Sequence, residues 1–152
     1  MATLYHQVWI NASPAKVFSA IATLPGIESW WGPHTSVQTD AGEVLSHDPG
    51  PAHGIVKFKV LDRTRDRRIE WEFFSTHPKS SPASAWTGTH AVFDIADRPN
   101  NPAMSGFGGS QDRVTILDFR HSGWDEASEF FGFCNFAWGS VLAQLKKVCE
   151  RQ

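Results

Sequence analysis

Alternation of apolar and polar residues predicts that most of this chain forms β-strands. In the first segment, Leu4, His6, Val8 and Ile10 occupy alternate positions and would lie on one face of a strand. A two-residue period recurs in six later segments. These segments are Thr35–Thr39, Gly42–His47, Gly54–Arg63, Arg68–Ser75, Thr87–Ala96 and Arg113–His121. Because successive side chains of a strand point to opposite faces, the pattern predicts an antiparallel sheet with one apolar and one polar face. Six or seven such strands make a sheet that is large enough to curl.

Two short helices are predicted between the first strand and the second. Ser13 and Pro14 supply an N-cap and a first-turn proline, and apolar residues follow at helical spacing up to Ala22. The segment Thr23–Gly26 breaks this helix, and Ile27–Trp31 forms a second short one before Gly32 and Pro33 end it.

The end of the chain predicts one long amphipathic helix. When residues from Glu126 onward are placed at 100° steps, the apolar side chains fall in one arc roughly 140° wide. The arc contains Ala127, Phe130, Phe131, Cys134, Ala137, Trp138, Val141, Leu142, Leu145, Val148 and Cys149. Asp125 is the expected N-cap. Because only the sheet offers a large apolar surface, the helix is expected to lie across it, which gives an α+β fold.

Two long segments interrupt the strands, His77–Trp86 and Asp97–Asp112. Both are rich in Pro, Ser, Asn and Gly, and we expect mobile loops at the rim of the sheet rather than domain linkers. The glycines of Gly106–Gly109 lack the preceding strand and following helix of a phosphate-binding loop, so a flexible loop is predicted there. The whole chain, residues 1–152, is predicted to be one domain.

Charge and composition narrow the classes of partner. The formal net charge is −2 with mixed signs, which gives no field to attract nucleic acid or anionic lipid. The N-terminal stretch shows neither a secretory signal nor a membrane span, so a cytoplasmic protein is expected. Cys134 and Cys149 would lie about 22 Å apart on the last helix. At that distance they cannot form a disulfide, and two reduced thiols are expected.

Several short pieces resemble a known family in order and spacing. They are Ile10-Asn11-Ala12-Ser13-Pro14 with Val17-Phe18, Trp30-Trp31-Gly32-Pro33, His121-Ser122-Gly123, and Ala137-Trp138-Gly139 with Leu142, Leu145-Lys146 and Glu150. On these residues the chain resembles the START-like, or Bet v 1-like, superfamily, which includes birch-type pollen allergens and polyketide cyclases. Within it the chain is most similar to the group related to the C-terminal domain of the activator of Hsp90 ATPase.

The resemblance implies a helix-grip fold with a cavity between the curved sheet and the long helix. In relatives such a cavity takes lipids, hormones or polyketides, or the domain serves as a protein-binding scaffold. The expected function is therefore the binding or carriage of a small hydrophobic molecule, without a cofactor. A polyketide cyclase or aromatase and an Hsp90-linked interaction domain are the alternatives. No catalytic residue is carried over, because the group shares no catalytic motif, and the insert Asn100–Gln111 departs from the family pattern.

Aromatic residues are the main candidates for the ligand site. Seven Trp and eleven Phe are an unusual share for a chain of 152 residues. The predicted ligand-binding residues are Trp30, Trp31, Phe58, Trp71, Phe73, Phe93 and Leu117, together with Phe130, Cys134, Ala137, Trp138 and Val141 of the last helix. The small Ala137 opposite large rings favours a void and a mostly apolar ligand. The alternative is an interior that these side chains fill.

Polar candidates are fewer. The histidines lack the spacing of a zinc site, including His47 and His53 on either side of a Pro/Gly turn, so no metal is predicted. His6 shares the inward parity and is either a core residue or a polar group of the cavity, where it could act as acid or base. Glu70 and Glu72 resemble the paired carboxylates of a catalytic site, but their positions in the strand place both side chains on the solvent-exposed face of the sheet.

Two surface features complete the sequence prediction. Arg63, Arg65, Arg67 and Arg68 cluster near two aspartates, which indicates a charged hairpin tip or, as the alternative, a contact for an anion or an acidic partner. Phe133 and Phe136 fall outside the apolar arc of the last helix. Two such rings one turn apart predict a small contact surface for a homodimer or another protein partner.

Overall fold

Seven antiparallel strands form one sheet in the computed structural model, which describes residues 1–151. The strands are β1 (Ala2–Ile10), β2 (Thr35–Thr39), β3 (Gly42–His47), β4 (Val56–Thr64), β5 (Arg68–Phe73), β6 (His90–Pro99) and β7 (Arg113–Trp124). Their order across the sheet is β1-β7-β6-β5-β4-β3-β2, so the first strand pairs with the last. The predicted α+β architecture is confirmed, with two short helices after β1 and a long helix at the C-terminus.

The two short helices, α1 (Pro14–Ala22) and α2 (Leu24–Trp31), follow their predicted signals. The Ser13 hydroxyl accepts the backbone N–H of Lys16 at 3.2 Å and caps α1, and the Thr23 hydroxyl caps α2. Gly26 allows the two helices to approach closely. A Cβ at that position would lie 2.2 Å from the carbonyl oxygen of Ser19, so a larger side chain would force the helices apart.

The long helix α4 spans Phe131–Glu150, and the prediction that it starts at Glu126 with Asp125 as N-cap is wrong. The Asp125 carboxylate accepts the N–H of Ala127 at 3.0 Å, and the Ser128 hydroxyl accepts the N–H of Phe130 at 3.2 Å. These side chains close local turns, which compete with the first helical hydrogen bonds. The helix therefore begins one and a half turns later than its apolar pattern predicts.

One stripe of α4 packs against the apolar face of the sheet. The fully buried residues of the helix are Cys134, Trp138, Leu142, Leu145 and Cys149, all within the predicted arc. Phe133 and Phe136 lie outside it and are 60% and 65% exposed. Both cysteines are buried and free of disulfides, as expected from their separation. Among residues 1–151, no helix is both long enough and apolar enough to cross a membrane.

The insert between β6 and β7 is folded, not a flexible loop. It contains a 3-10 turn (Pro102–Met104) and a short helix, α3 (Ser105–Gly108). The Asn100 amide donates to the carbonyls of Gly108, Gly109 and Gln111, and the Lys146 ammonium of α4 reaches the carbonyl of Phe107. The insert thus packs beside the C-terminal half of α4. This finding corrects the prediction of a mobile loop at the rim of the sheet.

Charged side chains cover the outer face of the sheet around the β4–β5 hairpin. Arg68 donates to the carboxylates of Asp62 and Glu70 at 2.7 and 2.8 Å, and His90 contacts Glu70 from β6. Glu70 is therefore part of an outward ion-pair network, in agreement with its strand parity. The hairpin tip is charged as predicted, and these exposed pairs contribute little stability individually.

Candidate functional site

An apolar pocket opens beside the N-terminal half of α4. Its volume is about 260 Å³. The helix contributes Phe133, Cys134 and Ala137 to its wall, and α2 contributes Trp31. The remaining wall comes from the β3–β4 connection with His47, Pro49, His53 and Val56, and from the 77–86 segment with Pro82, Ala83 and Trp86. The pocket thus lies where two loops and two helices meet at one end of the sheet.

Trp86 forms the floor between this pocket and the core. Its ring stacks on Trp138 with centroids 5.5 Å apart and planes 13° apart, and it meets Phe73 edge-on at 4.8 Å. The Trp86 indole N–H donates to the Cys134 sulfur at 3.4 Å. Since the donor is already used, Trp86 presents mainly an apolar surface to the pocket.

Trp31 forms the adjoining part of the wall, with its ring centroid 6.4 Å from that of Trp86. It stacks on Phe58 at 5.6 Å and on Trp71 at 5.9 Å, and its ring lies 5.7 Å from Trp138. Trp30, in contrast, turns toward α1 and donates its indole N–H to the carbonyl of Ala20 at 2.8 Å. The two adjacent tryptophans therefore have different roles, one on the pocket wall and one in helix packing.

The other predicted ligand residues lie mostly behind this wall. Phe58, Trp71, Phe73, Phe93, Leu117 and Trp138 are almost completely buried. The aromatic rings among them are in contact with one another, for example Trp71 with Phe93 at 4.8 Å, so aromatic side chains fill the space between β4–β7 and α4. Phe130 and Val141 are half-buried beside the core. Of the predicted residues, Trp31, Cys134 and Ala137 reach the pocket surface.

Two histidines bring polar atoms to the pocket. His47 Nδ1 lies 3.1 Å from the carbonyl oxygen of Pro33, and His53 Nδ1 lies 2.6 Å from the Ser81 hydroxyl. His34 stacks on His47 with centroids 4.6 Å apart. Burial lowers the pKa of His34, with a smaller effect in the same direction from the charge of His47. His34 is therefore a neutral support behind the wall at neutral pH.

Cys134 is the one thiol on the pocket wall within residues 1–151. Burial raises the pKa of this thiol, while the hydrogen bond from Trp86 works weakly in the opposite direction. The thiolate is the reactive form of cysteine, so a raised pKa makes Cys134 a poor nucleophile at neutral pH. Its part in the site is to fill space and accept the Trp86 hydrogen bond.

A buried polar network lies directly beneath the pocket. The Trp138 indole donates to Nδ1 of His121 at 2.9 Å, and Nε2 of His121 lies 2.7 Å from the Thr89 hydroxyl. The Thr89 hydroxyl in turn donates to the carbonyl of Trp86 at 2.5 Å. Burial lowers the pKa of His121 to about 3, so the imidazole is neutral under ordinary conditions. The network holds Trp86 and Trp138 in fixed positions behind the pocket.

His6, the predicted polar cavity residue, lies elsewhere. It faces α4 from β1, where a Cβ on Gly139 would approach its ring to 3.3 Å, and its Nε2 is buried without a hydrogen bond among the described residues. Its ring packs near Phe119 rather than on the pocket wall. No group of three or more potential metal ligands occurs within residues 1–151.

A larger depression of about 740 Å³ lies at the β4–β5 turn. Charged side chains dominate its wall, among them Arg65, Asp66, Arg67 and Arg98. An apolar ligand would have to displace water from these charges at considerable cost. The smaller pocket beside α4 is therefore the better candidate for the predicted hydrophobic ligand, in spite of its size.

Among the pocket residues that the sequence did not predict are Trp86, His47 and His53. Trp86 is an isolated aromatic in a loop of small and turn-forming residues, which is a signal for an inward-packed ring. The two histidines flank a short turn between strands, and pairing of His47 with Val56 brings both ends of that turn to the pocket. Histidine spacing that does not fit a metal site leaves open a role as a hydrogen-bonding group, because imidazoles also serve in that way in ligand sites.

Comparison with known proteins gives a family and a set of similar folds. Residues 1–110 match the family described as polyketide cyclase/dehydrase and lipid transport. No curated protein sequence matches the chain. Three similar solved structures are the Aha1 dimer of Colwellia psychrerythraea, a protein of Mesorhizobium loti and a protein of Bacillus halodurans.

These structures align over nearly their whole lengths. The Colwellia protein is 24% identical, has a TM-score of 0.73, and the match covers 99% of this chain and 97% of that one. The Mesorhizobium protein is 17% identical with a TM-score of 0.71, covering 97% and 96%. The Bacillus protein is 17% identical with a TM-score of 0.68, covering 99% and 98%. At these identities the likeness establishes the fold alone.

Proposed function

Since this chain belongs to the polyketide cyclase/dehydrase and lipid transport family, within the START-like superfamily, we propose that it binds a small hydrophobic molecule in the pocket beside α4. The observation that carries the proposal is the pair of neighbouring indole rings on the pocket wall, Trp31 and Trp86, whose centroids lie 6.4 Å apart, together with the small side chain of Ala137. Flat rings give an apolar ligand a large contact area at little cost in side-chain entropy.

The size of the pocket limits the ligand. Pockets for drug-sized molecules have volumes of about 300–1,000 Å³. The pocket beside α4 measures about 260 Å³, and the core behind it is filled with aromatic rings. A ligand of one or two rings, or one short aliphatic chain, matches this space better than a two-chain lipid does.

A titration with 2-methylnaphthalene tests the proposal, followed by the indole N–H signals in two-dimensional NMR spectra. Ala137→Phe places a ring in the pocket and is expected to weaken binding at least tenfold. Ala143→Phe is the matched control, because Ala143 is exposed on the same helix outside the pocket wall. Equal affinity of the two variants, or no binding by the wild-type protein, would refute the proposal.

A cyclase-type enzyme is the second candidate, and the histidines on the wall favour it. Acid–base catalysis needs a titratable group within hydrogen-bond reach of the substrate, and His47 and His53 are such groups. The test is to follow a linear poly-β-ketone thioester by mass spectrometry with and without the protein. Loss of water from the substrate that depends on the protein would move the assignment from carrier to enzyme.

Assembly into a homodimer is a further part of the proposal. The Colwellia relative is described as an Aha1 dimer. On α4 of this chain, Phe133 and Phe136 form an exposed apolar surface. We propose that a second copy covers these two rings. A chaperone-linked role, the remaining alternative, would show itself as near-stoichiometric co-purification of Hsp90.

Sedimentation velocity measurements test the dimer. Phe136→Glu adds a charge to the proposed contact without altering the pocket wall, and is expected to shift the protein toward the monomer. Tyr5→Glu is the control, because Tyr5 is 72% exposed on the outer face of β1. If both variants sediment like the wild-type protein, the two phenylalanines do not form the dimer contact.

A further inference from the structure

The imidazoles of His47 and His53 each have one nitrogen that is bound to the protein and one that is free. Nδ1 is the bound atom in both rings. Neither Nε2 has a hydrogen-bond partner among the described residues, and neither is among the side-chain atoms sealed from solvent. Since both rings lie on the pocket wall, the free nitrogens are available to a ligand.

The bond of His47 fixes which nitrogen carries its proton. Its partner is the carbonyl oxygen of Pro33, 3.1 Å away, and a carbonyl can only accept. Nδ1 of His47 therefore carries the hydrogen. In the neutral ring Nε2 then holds a lone pair, so His47 offers the ligand a hydrogen-bond acceptor.

The bond of His53 fixes the opposite arrangement. The Ser81 oxygen already accepts the backbone N–H of Ala83 at 3.1 Å, and Ser81 is only 2% exposed. Its hydroxyl proton needs an acceptor, and Nδ1 of His53 at 2.6 Å is the one at hand. Because Nδ1 accepts, Nε2 carries the hydrogen, and His53 offers the ligand a donor.

A second set of contacts holds the backbone of His53 and the ring of His47 in place. The His77 ring donates from Nδ1 to the carbonyl of His53 at 2.7 Å, and its Nε2 lies 2.8 Å from the Ser75 hydroxyl. Stacking of the buried His34 ring supports His47 from behind. The donor and the acceptor are thus built into the wall, and little ordering is needed when a ligand arrives.

We infer that the ligand of this pocket carries a hydroxyl group on its apolar body, held by His47 as acceptor and His53 as donor. A hydroxyl is the small group that both gives and receives a hydrogen bond, so it satisfies both free nitrogens. The inference rests on the proposed function, because it names the class of ligand for the same site: a phenol or a short-chain alcohol rather than a plain hydrocarbon.

Three naphthalene derivatives of similar shape test the inference on the wild-type protein. 2-Naphthol can donate and accept, 2-methoxynaphthalene can only accept, and 2-methylnaphthalene can do neither. Two hydrogen bonds of ordinary strength predict that 2-naphthol binds about tenfold more tightly than 2-methylnaphthalene. The methoxy compound is expected between them, because it keeps the bond from His53 and loses the one to His47.

The variants His47→Phe and His53→Phe assign the two bonds, since each keeps a ring on the wall and removes the nitrogen. Each is expected to reduce the ratio of the affinities for 2-naphthol and 2-methylnaphthalene by about threefold or more relative to the wild-type protein, and an unchanged ratio in both variants overturns the assignment of the two bonds. Equal binding of all three probes by the wild-type protein overturns the hydroxyl inference and leaves the apolar site intact. Binding of none of them overturns the proposed function itself.

Discussion

Trp138 of α4 donates its indole N–H to Nδ1 of His121 in β7 across 2.9 Å, and both side chains are buried. The bond fixes the proton of the neutral imidazole on Nε2, which donates to the Thr89 hydroxyl at 2.7 Å. A hydrogen bond is directional, so it adds to the close apolar packing between helix and sheet a contact of defined geometry. Through the Thr89 hydroxyl, which donates to the Trp86 carbonyl, the bond connects α4 with Trp86 at the pocket floor.

The first prediction concerns pH. Burial lowers the pKa of His121 to about 3, whereas the unfolded chain keeps an ordinary value of 6.5. Below pH 6.5 the unfolded state therefore binds a proton that the folded state does not. The free energy of unfolding should fall as the pH drops from 6.5 toward 3, by up to about 1.4 kcal/mol per pH unit from this group. Denaturant titrations between pH 7 and pH 5 measure the slope.

The variant His121→Leu tests this prediction. The slope of the free energy of unfolding against pH is compared between the variant and the wild-type protein, so a difference in absolute stability does not matter. Part of the slope should remain, since the pKa of buried His34 is also lowered. Carboxylates such as Glu70, whose pKa is lowered by His90 and Arg68 despite partial burial, titrate below this range. An unchanged slope in the variant would show that His121 is protonated in the folded protein.

The second prediction concerns the donor of the same bond. Trp138→Phe keeps a ring in the core but leaves Nδ1 of His121 buried without a donor. The expected loss in the free energy of unfolding is about 1–3 kcal/mol for the unpaired atom, with a further loss from reduced packing. Trp9→Phe is the control, because the Trp9 indole donates to the exposed Gln7 side chain and should cost less. Similar losses in both variants would speak against the special role of the buried bond.

Much of the fold could be predicted because its signals are local or periodic. The strands followed the two-residue period, and the stripe from Cys134 to Cys149 followed the helical period. The start of α4 could not be predicted from periodicity. Apolar residues at Ala127 and Phe130 extend the arc, but the side chains of Asp125 and Ser128 close turns there and the periodic pattern does not register them.

The site was harder to predict than the fold, because its walls come from segments distant in the sequence. Strand parity correctly pointed Trp71 and Phe93 inward but could not tell whether inward means pocket or core. That distinction depends on how closely the rings pack, which no single segment encodes. Trp86 and the two pocket histidines lie on loops without periodic signal, and their meeting point follows only from the assembled sheet.

The third prediction tests whether the insert between β6 and β7 is packed. Gly108→Ala would place a Cβ 3.1 Å from both Trp9 and Val114, and 3.0 Å from the side-chain oxygen of Asn100. Overpacking of this kind costs about 1–3 kcal/mol. Gly106→Ala lies in the same short helix with no atom within 4 Å of the new Cβ, so it should be neutral. Thermal unfolding of the two variants compares them, and equal melting temperatures would mean that the insert is not held against β1.

The fourth prediction concerns the lysine that joins the insert to α4. The Lys146 ammonium donates to the carbonyls of Trp9 and Phe107 and pairs with Glu150 at 2.8 Å. Lys146→Met removes the charge and leaves these acceptors partly buried, with an expected loss of about 1–3 kcal/mol. Lys147→Met is the control on the exposed side of the helix. Denaturant unfolding measures both, and a loss of equal size in Lys147→Met would contradict the contact.

Intermolecular nuclear Overhauser effects with 2-methylnaphthalene test most directly whether an apolar molecule binds against Trp31, Trp86 and Ala137. We predict effects between the ligand protons and the methyl groups of Ala137 and Val56, both on the pocket wall. Effects confined to residues outside that wall, such as Ile95 in the charged depression at the β4–β5 turn, would contradict the claim.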